Sequence, residues 1–543
     1  MRLTPILLMT LALPLAAQQV SLEARMDTLF RQYASTETPG CVAGVAQNGR
    51  VLLERAYGMA DLERNVPLTT ASILEAGSVS KQFTAAAVLM LARDGKLGLD
   101  DPVRRWVPEL PAVMQPITLR HMLHHMSGLR DWGSIAGVAG WPRNSRALDH
   151  AIVLQIVARM RELNFPPGTE YEYSNSNYNL LAIVAERASG ESLPAFTRKR
   201  IFEPLGMTST SWRDDAMRVV RNRALSYDKD SSGWEGERAV ENIYGNCCLL
   251  TTVSDLLKWN AAFDSTRLGA GLRAEQERRG VLNNGQTITY AAGLFVDTWR
   301  GQPWVGHSGA TSGYRANLVR YTGPGVSVAV LCNAGNADPE RASDSLADAL
   351  VRFEPRTTPA APVRVAVPPN ALADKAGVYR NGRDSQGQRL RVRDGKLETE
   401  RGLELVPIDS SGLSYQAARG GSRIVFSRRK DGRYDGRTVS LTNDTVAVYG
   451  VPDADTSRAA LGAYVGVYES PEAEATLRVA FDSTGALALT RISTTGGPWR
   501  MRPVYRDGFA IVPGMMVFTR ARGRITGFRF TTARVRNLRF DRK

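Results

Sequence analysis

Apolar and polar positions follow two different periods along this chain, and the change of period divides it into two parts. In the first part, apolar residues recur at helical spacing in several stretches. The stretches are residues 22–33, 79–94, 119–129 (stopped by Gly128), 180–190 (ended by Gly190) and 251–263. Two apolar runs flank Asn48-Gly49, which predicts a β-hairpin, and residues 325–334 predict a buried strand. This mixture predicts an α+β fold in which helices flank a sheet, and we assign residues 22–353 to it.

In the second part, helical periodicity gives way to short alternating runs separated by Gly and Asp. Short motifs of this part repeat in the same order. Residues 376–379 (AGVY) return as residues 465–468 (VGVY), and residues 424–428 (IVFSR) return as residues 516–520 (MVFTR). The repeat predicts two copies of a small all-β antiparallel barrel, because closure removes exposed strand edges. We assign residues 371–450 and 460–543 to these units, after a Pro-rich linker at residues 354–370.

The N-terminus has the composition of a signal peptide. Arg2 precedes apolar residues that run to position 17 and end in small side chains. The run is too short and too interrupted by Pro to cross a membrane. We therefore expect residues 1–17 to be removed and the mature chain, with no transmembrane segment, to be periplasmic or secreted.

The overall charge does not change this picture. Lys and Arg total 69 against 54 Asp and Glu, giving a formal charge of +15. Such an excess is found in nucleic-acid-binding proteins. Here the C-terminal Arg residues alternate with apolar residues, as on the solvent face of a strand, and no zinc-finger or RNA-binding signature accompanies them. We predict no nucleic-acid partner.

Four cysteines, Cys41, Cys247, Cys248 and Cys332, are too few for a disulfide scaffold. Cys247 and Cys248 are adjacent, and we expect them not to pair with each other. Without a CxxC pair, the cysteines do not indicate a zinc or redox site. The sequence predicts no cofactor and no metal.

The first chemical motif is Ser78-Val79-Ser80-Lys81, at the head of a predicted helix. Residues three apart lie on one helix face, so the Ser78 hydroxyl and the Lys81 amine can meet. The helix dipole at this end favours developing negative charge. Serine is a weak nucleophile that needs a nearby base, and a buried lysine can supply it. An N-cap serine followed by a surface lysine would have the same sequence.

Two further motifs follow. In Tyr173-Ser174-Asn175, the tyrosine can pass a proton, and the asparagine offers a donor and an acceptor to Lys81 and to a substrate amide. A polar loop capping a helix that starts near Tyr178 is the alternative interpretation. In His307-Ser308-Gly309, strand-like residues precede the motif, and Gly309 would let a substrate approach the backbone closely. The alternative there is a turn between strands.

Taken together and in this order, the motifs make the chain resemble the serine β-lactamase and penicillin-binding-protein group. The resemblance is nearest to class C β-lactamases, esterases of that fold and D-aminopeptidases. It covers roughly residues 22–350. The stretches that carry it are residues 73–91, 95–110, 117–129, 171–190, 249–259 and 306–314. It implies a β-lactamase/transpeptidase-like domain, and the two following β units resemble the architecture of D-aminopeptidases.

The resemblance also implies a role for each motif residue. Ser78 would form an acyl-enzyme, with Lys81 and Tyr173 sharing general-base and general-acid work. Asn175, Gly309 and Ala310 would contact the substrate, and the backbone N–H groups of Ser78 and Ala310 would form the oxyanion hole. His307, which we count with the catalytic residues, occupies the position of a lysine in β-lactamases. D-aminopeptidases resemble this chain in having a histidine there.

Two structural expectations come from the same resemblance. In that fold the first strand lies antiparallel to the last strand of the main domain, which implies a Cys41–Cys332 disulfide. The segment containing His121, His124 and His125 is a structural helix in the family, so this histidine cluster is not interpreted as a metal site.

The predicted function is an exported serine hydrolase of the D-aminopeptidase or D-amino-acid amidase type, acting on a small peptide, amide or ester. An esterase or a weak class C-like β-lactamase on the same site is one alternative. A non-catalytic protein that binds a cell-wall or lipophilic ligand is another. Because an imidazole is mostly neutral at pH 7, we expect position 307 to favour substrates without a carboxylate there. The sequence predicts no oligomeric state.

Overall fold

A computed structural model describes residues 21–141, 148–237, 240–263, 265–355, 360–440, 444–492 and 497–543. The predicted signal peptide, residues 1–17, lies outside these ranges. Across the ranges given, the structure has no helix with the length and apolar character needed to cross a membrane.

The first part of the chain is built on a six-stranded antiparallel sheet in the order β10-β11-β12-β13-β1-β2. The strands of this part are β1 Cys41–Gln47, β2 Arg50–Tyr57, β3 Met59–Asp61, β4 Val66–Pro67, β5 Leu74–Glu75, β6 Ser211–Trp212, β7 Tyr227–Lys229, β8 Trp234–Gly236, β9 Leu249–Thr251, β10 Phe295–Trp299, β11 Gln302–Thr311, β12 Tyr314–Tyr321 and β13 Val326–Cys332. The predicted hairpin is present, since Asn48 and Gly49 join β1 to β2 with φ of 50° and 76°.

Helices cover both faces of this sheet, as the α+β prediction requires. The α-helices of the described residues are α1 Leu22–Phe30, α2 Lys81–Arg93, α3 Val103–Trp106, α4 Leu119–Leu123, α5 Trp132–Ala139, α6 His150–Ala158, α7 Asn175–Ser189, α8 Leu193–Thr197, α9 Glu203–Leu205, α10 Val253–Ala262, α11 Leu272–Gln276, α12 Pro339–Ala347, α13 Pro369–Ala373 and α14 Arg458–Gly462. Side chains alternate across β1, so Val42 faces the core under α2, α7 and α10 while Val45 faces the core under α1 and α12.

The first and last strands of this domain are neighbours. β1 pairs with β13 in antiparallel register, with Cys41 opposite Cys332. A disulfide joins these two cysteines, closing a sequence separation of 291 residues. The strand arrangement is the one that the family resemblance implies.

Helix boundaries differ from the sequence prediction in two places. The helix predicted to run to Gly128 ends at Leu123, because His125 adopts a left-handed φ of 54° and turns the chain inward. The helix predicted near Tyr178 begins earlier, at Asn175, and Gly190 ends it in the left-handed conformation. Asn177 lies buried inside the first turn of this helix.

The second part of the chain consists of two antiparallel β units, as predicted. The first unit is a closed barrel of β14 Gly377–Asn381, β15 Gly387–Arg393, β16 Lys396–Thr399, β17 Glu404–Pro407, β18 Ser414–Ala417, β19 Arg423–Arg428, β20 Tyr434–Val439 and β21 Thr445–Val451. The second is a nine-stranded sheet of β22 Gly466–Ser470, β23 Ala475–Phe481, β24 Leu487–Arg491, β25 Trp499–Arg500, β26 Arg502–Tyr505, β27 Gly508–Ile511, β28 Gly514–Ala521, β29 Arg524–Thr532 and β30 Val535–Arg542. Its terminal strands, β25 and β26, are consecutive in the chain, so the sheet curves into a nearly closed barrel.

The internal repeat extends to matching side-chain contacts. A short helix, α13 or α14, precedes the first strand of each unit. The Tyr379 hydroxyl donates to the Lys375 carbonyl at 3.0 Å, and the Tyr468 hydroxyl donates to the Tyr464 carbonyl at 2.7 Å. In both units, a tyrosine of the first strand makes the same hydrogen bond to a backbone carbonyl four residues earlier. This shared contact supports the interpretation of the two units as a structural repeat.

Candidate active site

Ser78 lies in a short 3-10 turn, Gly77–Ser80, that leads directly into α2. Lys81, the first residue of α2, is completely buried. The predicted three-residue spacing places the Lys81 Nζ 3.1 Å from the Ser78 Oγ, to which it donates a hydrogen bond. The candidate nucleophile and its candidate base are therefore in direct contact.

Lys81 is held by two further acceptors. Its Nζ donates to Asn175 Oδ1 at 3.0 Å and to the Asn246 carbonyl at 2.6 Å. Asn179 Nδ2 donates to Asn246 Oδ1 at 2.8 Å and fixes the turn that carries this carbonyl. Sequence reasoning found Asn175 but not Asn246, whose contribution is a backbone atom without a side-chain signature.

Tyr173 lies beside both groups. The Lys81 Nζ is 4.7 Å from the centre of the Tyr173 ring. The Tyr173 hydroxyl is buried and makes no hydrogen bond within the described ranges. Burial raises the pKa of Tyr173 above its usual value, and the neighbouring Ser78 hydroxyl and Arg534 guanidinium oppose this shift. Tyr173 is thus a neutral phenol whose O–H is not committed to another acceptor.

His307 on β11 completes the group, and its hydrogen bonds define its tautomer. A carbonyl only accepts, so Nδ1–H donates to the Ser308 carbonyl at 2.6 Å, and Nε2 accepts from the Tyr290 hydroxyl at 3.1 Å. Burial and the nearby Lys81 charge lower the pKa of His307 to about 3. The imidazole is neutral, as expected, and more strongly so than its reference pKa of about 6.5 implies.

Two glycines bring β11 against the Ser78 turn. A Cβ on Gly309 would lie 2.1 Å from the Ala76 carbonyl oxygen and 3.1 Å from the Ser78 nitrogen. A Cβ on Gly77, whose φ is +52°, would lie 2.6 Å from the Ala310 nitrogen. The glycine at 309 therefore admits the nucleophile turn, and the two glycines let the Ser78 turn and Ala310 approach as the predicted oxyanion hole requires.

These groups line a cleft of about 550 Å³. Every predicted site residue except the buried Lys81 reaches its surface: Ser78, Tyr173, Asn175, His307, Gly309 and Ala310. The cleft also includes residues that the sequence did not indicate, among them Phe295, Cys247 and Arg534. Arg534 comes from the second β unit, so the cleft is shared between the first domain and the C-terminal part.

Cys247 and Cys248 form a disulfide with each other, so the prediction that they do not pair is wrong. Cys248 has a φ of 79°, a left-handed conformation that turns its side chain back towards the preceding residue. The linked pair follows Asn246 directly, and Cys247 lines the cleft.

Comparison with known proteins places this site in context. A family model described as Beta-lactamase matches residues 26–353. A D-aminopeptidase from Cereibacter sphaeroides is 29% identical over 488 residues, covering 86% of this chain and 87% of that protein. The structure of the octameric penicillin-binding protein homologue from Pyrococcus abyssi has a TM-score of 0.54 at 22% identity, covering 79% of this chain and 99% of that one. A D-amino acid amidase from Ochrobactrum anthropi SV3 has a TM-score of 0.52 at 20% identity, covering 60% and 98%. The two structural similarities concern the fold alone.

Proposed function

The chain belongs to the β-lactamase family of serine hydrolases, and on that basis we propose that it is a D-aminopeptidase or D-amino-acid amidase acting through an acyl-serine intermediate. The observation that carries the proposal is the contact of Lys81 with Ser78 and Asn175, next to an uncommitted Tyr173 hydroxyl. This arrangement has a nucleophile, proton-handling groups and a cleft open to a substrate.

In the proposed reaction, the Ser78 oxygen attacks the carbonyl carbon of the scissile amide. The Ser78 proton passes to the Lys81–Tyr173 pair, and the oxygen of the tetrahedral intermediate lies between the Ser78 and Ala310 N–H groups. The pair then gives a proton to the departing nitrogen as the C–N bond breaks, leaving an ester on Ser78. Water attacks this ester with the same pair as base, and Ser78 is regenerated.

The choice of amide substrates over β-lactams is supported by His307. A lysine at this position would give the β11 side of the cleft a fixed positive charge suited to the carboxylate of a β-lactam. The neutral imidazole does not supply that charge. The 29%-identical D-aminopeptidase, which this chain matches over 86% of its own length, supports the same choice.

A stereochemical substrate panel tests the proposal. We expect kcat/KM for D-alanine p-nitroanilide to exceed that for the L-enantiomer by at least about 100-fold, or about 2.7 kcal/mol of transition-state binding. A chromogenic cephalosporin and an acetate ester, assayed beside them, separate the amidase from the β-lactamase and the esterase. Equal rates for the two enantiomers, or a preference for the cephalosporin or the ester over the D-anilide, would overturn the proposal.

A further inference from the structure

The turn between β29 and β30 carries Arg534 into the catalytic cleft. The guanidinium carbon of Arg534 lies 4.8 Å from the centre of the Tyr173 ring. Its positive charge acts on the Tyr173 and Tyr171 hydroxyls, lowering the pKa of each against the effect of burial, which raises it. A residue of the second β unit thus lies beside the proton-handling pair.

The backbone of this turn is fixed to the first domain, independently of the Arg534 side chain. The Arg534 carbonyl accepts from the Asp131 N–H at 3.2 Å and from Asn164 Nδ2 at 3.1 Å. The Arg536 N–H donates to Asn164 Oδ1 at 2.8 Å. A substitution of the Arg534 side chain leaves all these bonds in place.

Buried ion pairs and hydrogen bonds also attach β30, the strand that follows this turn, to the first domain. The fully buried Arg130 donates to the Arg536 carbonyl at 2.8 Å and pairs with Glu472 of the second unit. The Arg536 guanidinium pairs with Glu170 at 3.0 Å and also with Glu172. These contacts fix the position of the turn in the cleft.

Among the residues that the structure describes, Arg536 has carboxylate partners and Arg534 has none. Across the described ranges, no acidic side chain or other acceptor is within bonding distance of the Arg534 guanidinium, which lies over an aromatic ring in a partly buried cleft. A planar guanidinium presents paired N–H donors that match a carboxylate. The Arg534 guanidinium is therefore suited to bind an anionic group of the substrate.

We propose that Arg534 is a specificity-determining residue that binds the carboxylate of the departing amino acid. This inference rests on the proposed function, in which the departing nitrogen takes its proton from the pair that contains Tyr173. Groups attached to that nitrogen therefore lie next to Tyr173. In a departing amino acid, only the α-carbon separates the carboxylate from this nitrogen. The preferred substrates are short peptides with a single residue after the scissile bond.

This assignment revises the expectation based on position 307 alone. The neutral His307 removes a positive charge from the β11 side, but Arg534 brings one from the C-terminal unit. Substrates with a free carboxylate are therefore accepted when the carboxylate belongs to the departing residue.

Two substrates that differ in one group test the role of Arg534. D-Alanyl-D-alanine and D-alanyl-D-alaninamide share the scissile bond and differ only in the terminal carboxylate. We expect the wild-type kcat/KM to favour the acid by at least about tenfold, and Arg534→Gln to remove this preference mainly through KM. Arg534→Lys should keep part of it. D-Alanine p-nitroanilide, which lacks the carboxylate, should lose at least about threefold less kcat/KM in Arg534→Gln than D-alanyl-D-alanine loses.

Arg522→Gln is the matched control, because Arg522 is an exposed residue at another hairpin of the same unit and its removal changes the net charge equally. It should behave as wild type. An unchanged acid-to-amide ratio in Arg534→Gln overturns the proposal. So does an equal loss on all three substrates with a displaced pH profile, which would assign Arg534 to Tyr173 and not to the substrate.

Failure of the proposed function is distinguishable from failure of this inference. If the wild-type chain cleaves none of the D-alanyl substrates, the proposed function fails, and calorimetry on the Ser78→Ala chain then decides the role of Arg534. The carboxylate site is supported if adding Arg534→Gln to the Ser78→Ala chain weakens the binding of D-alanyl-D-alanine but not of its amide. Equal binding of the two peptides, or no binding of either, overturns it.

Discussion

At the scale of single residues, burial and the nearby Lys81 charge keep His307 neutral. Its folded pKa of about 3 is below the unfolded value of about 6.5. Between these two values the unfolded chain binds a proton that the folded site does not, so His307 makes stability fall as the pH drops from about 6.5 to about 3. Above about pH 6.5 this contribution is fully present, and the imidazole stays neutral throughout the usual assay range.

The pH dependence of catalysis tests this protonation state. We expect His307→Gln to lower kcat/KM for D-alanine p-nitroanilide but to leave the acid limb of its pH profile where the wild type has it, since His307 does not titrate there. Profiles measured from about pH 5 to about pH 9 on both proteins make the comparison. An acid limb near pH 6.5 in the wild type that disappears in the variant would show that His307 carries the titration.

Single residues also show what the sequence can and cannot predict about the site. Ser78 and Lys81 were recognisable because their contact depends on local helical spacing. Tyr290, which donates to His307, and the Asn246 carbonyl, which accepts from Lys81, were missed. A backbone acceptor has no side-chain signature, and a lone tyrosine in an apolar stretch looks like a core residue.

At the scale of elements, the contact between the Ser78 turn and β11 positions the catalytic groups. Gly309→Ala would place a methyl group 2.1 Å from the Ala76 carbonyl oxygen, which forces the strand away from the turn. Because the Ser78 and Ala310 nitrogens would then separate, we expect kcat/KM for D-alanine p-nitroanilide to fall at least about 100-fold, the cost of losing one oxyanion-hole donor. Steady-state kinetics measures the effect.

Gly137→Ala is the control for this substitution, because a Cβ at Gly137 in α5 meets no atom within 4 Å beyond its chain neighbours and the backbone of its own helix. It should retain wild-type kinetics, and alanine should slightly stabilise the helix. A Gly309→Ala chain that is folded by circular dichroism and cleaves the anilide at the wild-type rate would show that the close approach of β11 is not needed for catalysis.

Elements governed by local signals were predictable, and those governed by tertiary contacts were not. The β1–β2 hairpin followed from Asn48-Gly49, whose positive φ values the turn requires. The helix predicted to reach Gly128 stops early because buried His125 turns in to accept from the Ser174 N–H at 3.3 Å. That bond joins two segments far apart in sequence, so helical periodicity does not reveal it.

At the scale of the whole molecule, the C-terminal half contributes Arg534 to the cleft that contains Ser78. The internal repeat predicted two β units, and the structure has them. Buried ion pairs such as Arg130 with Glu472 hold the second unit against the first domain. These two residues are 342 residues apart, so no local sequence pattern indicates their contact. The joint site was therefore beyond sequence reasoning, although each half was recognisable.

We propose that Ser78 carries the covalent chemistry of this molecule, and labelling with a serine-reactive probe tests this role. A fluorophosphonate reacts with an activated serine by forming an oxygen–phosphorus bond and releasing fluoride. Mass spectrometry of the full chain and its peptides should find one adduct, on the peptide that contains Ser78, and none in a folded Ser78→Ala chain that has also lost turnover. An adduct on another residue, or a Ser78→Ala chain that still hydrolyses D-alanine p-nitroanilide, would contradict the claim.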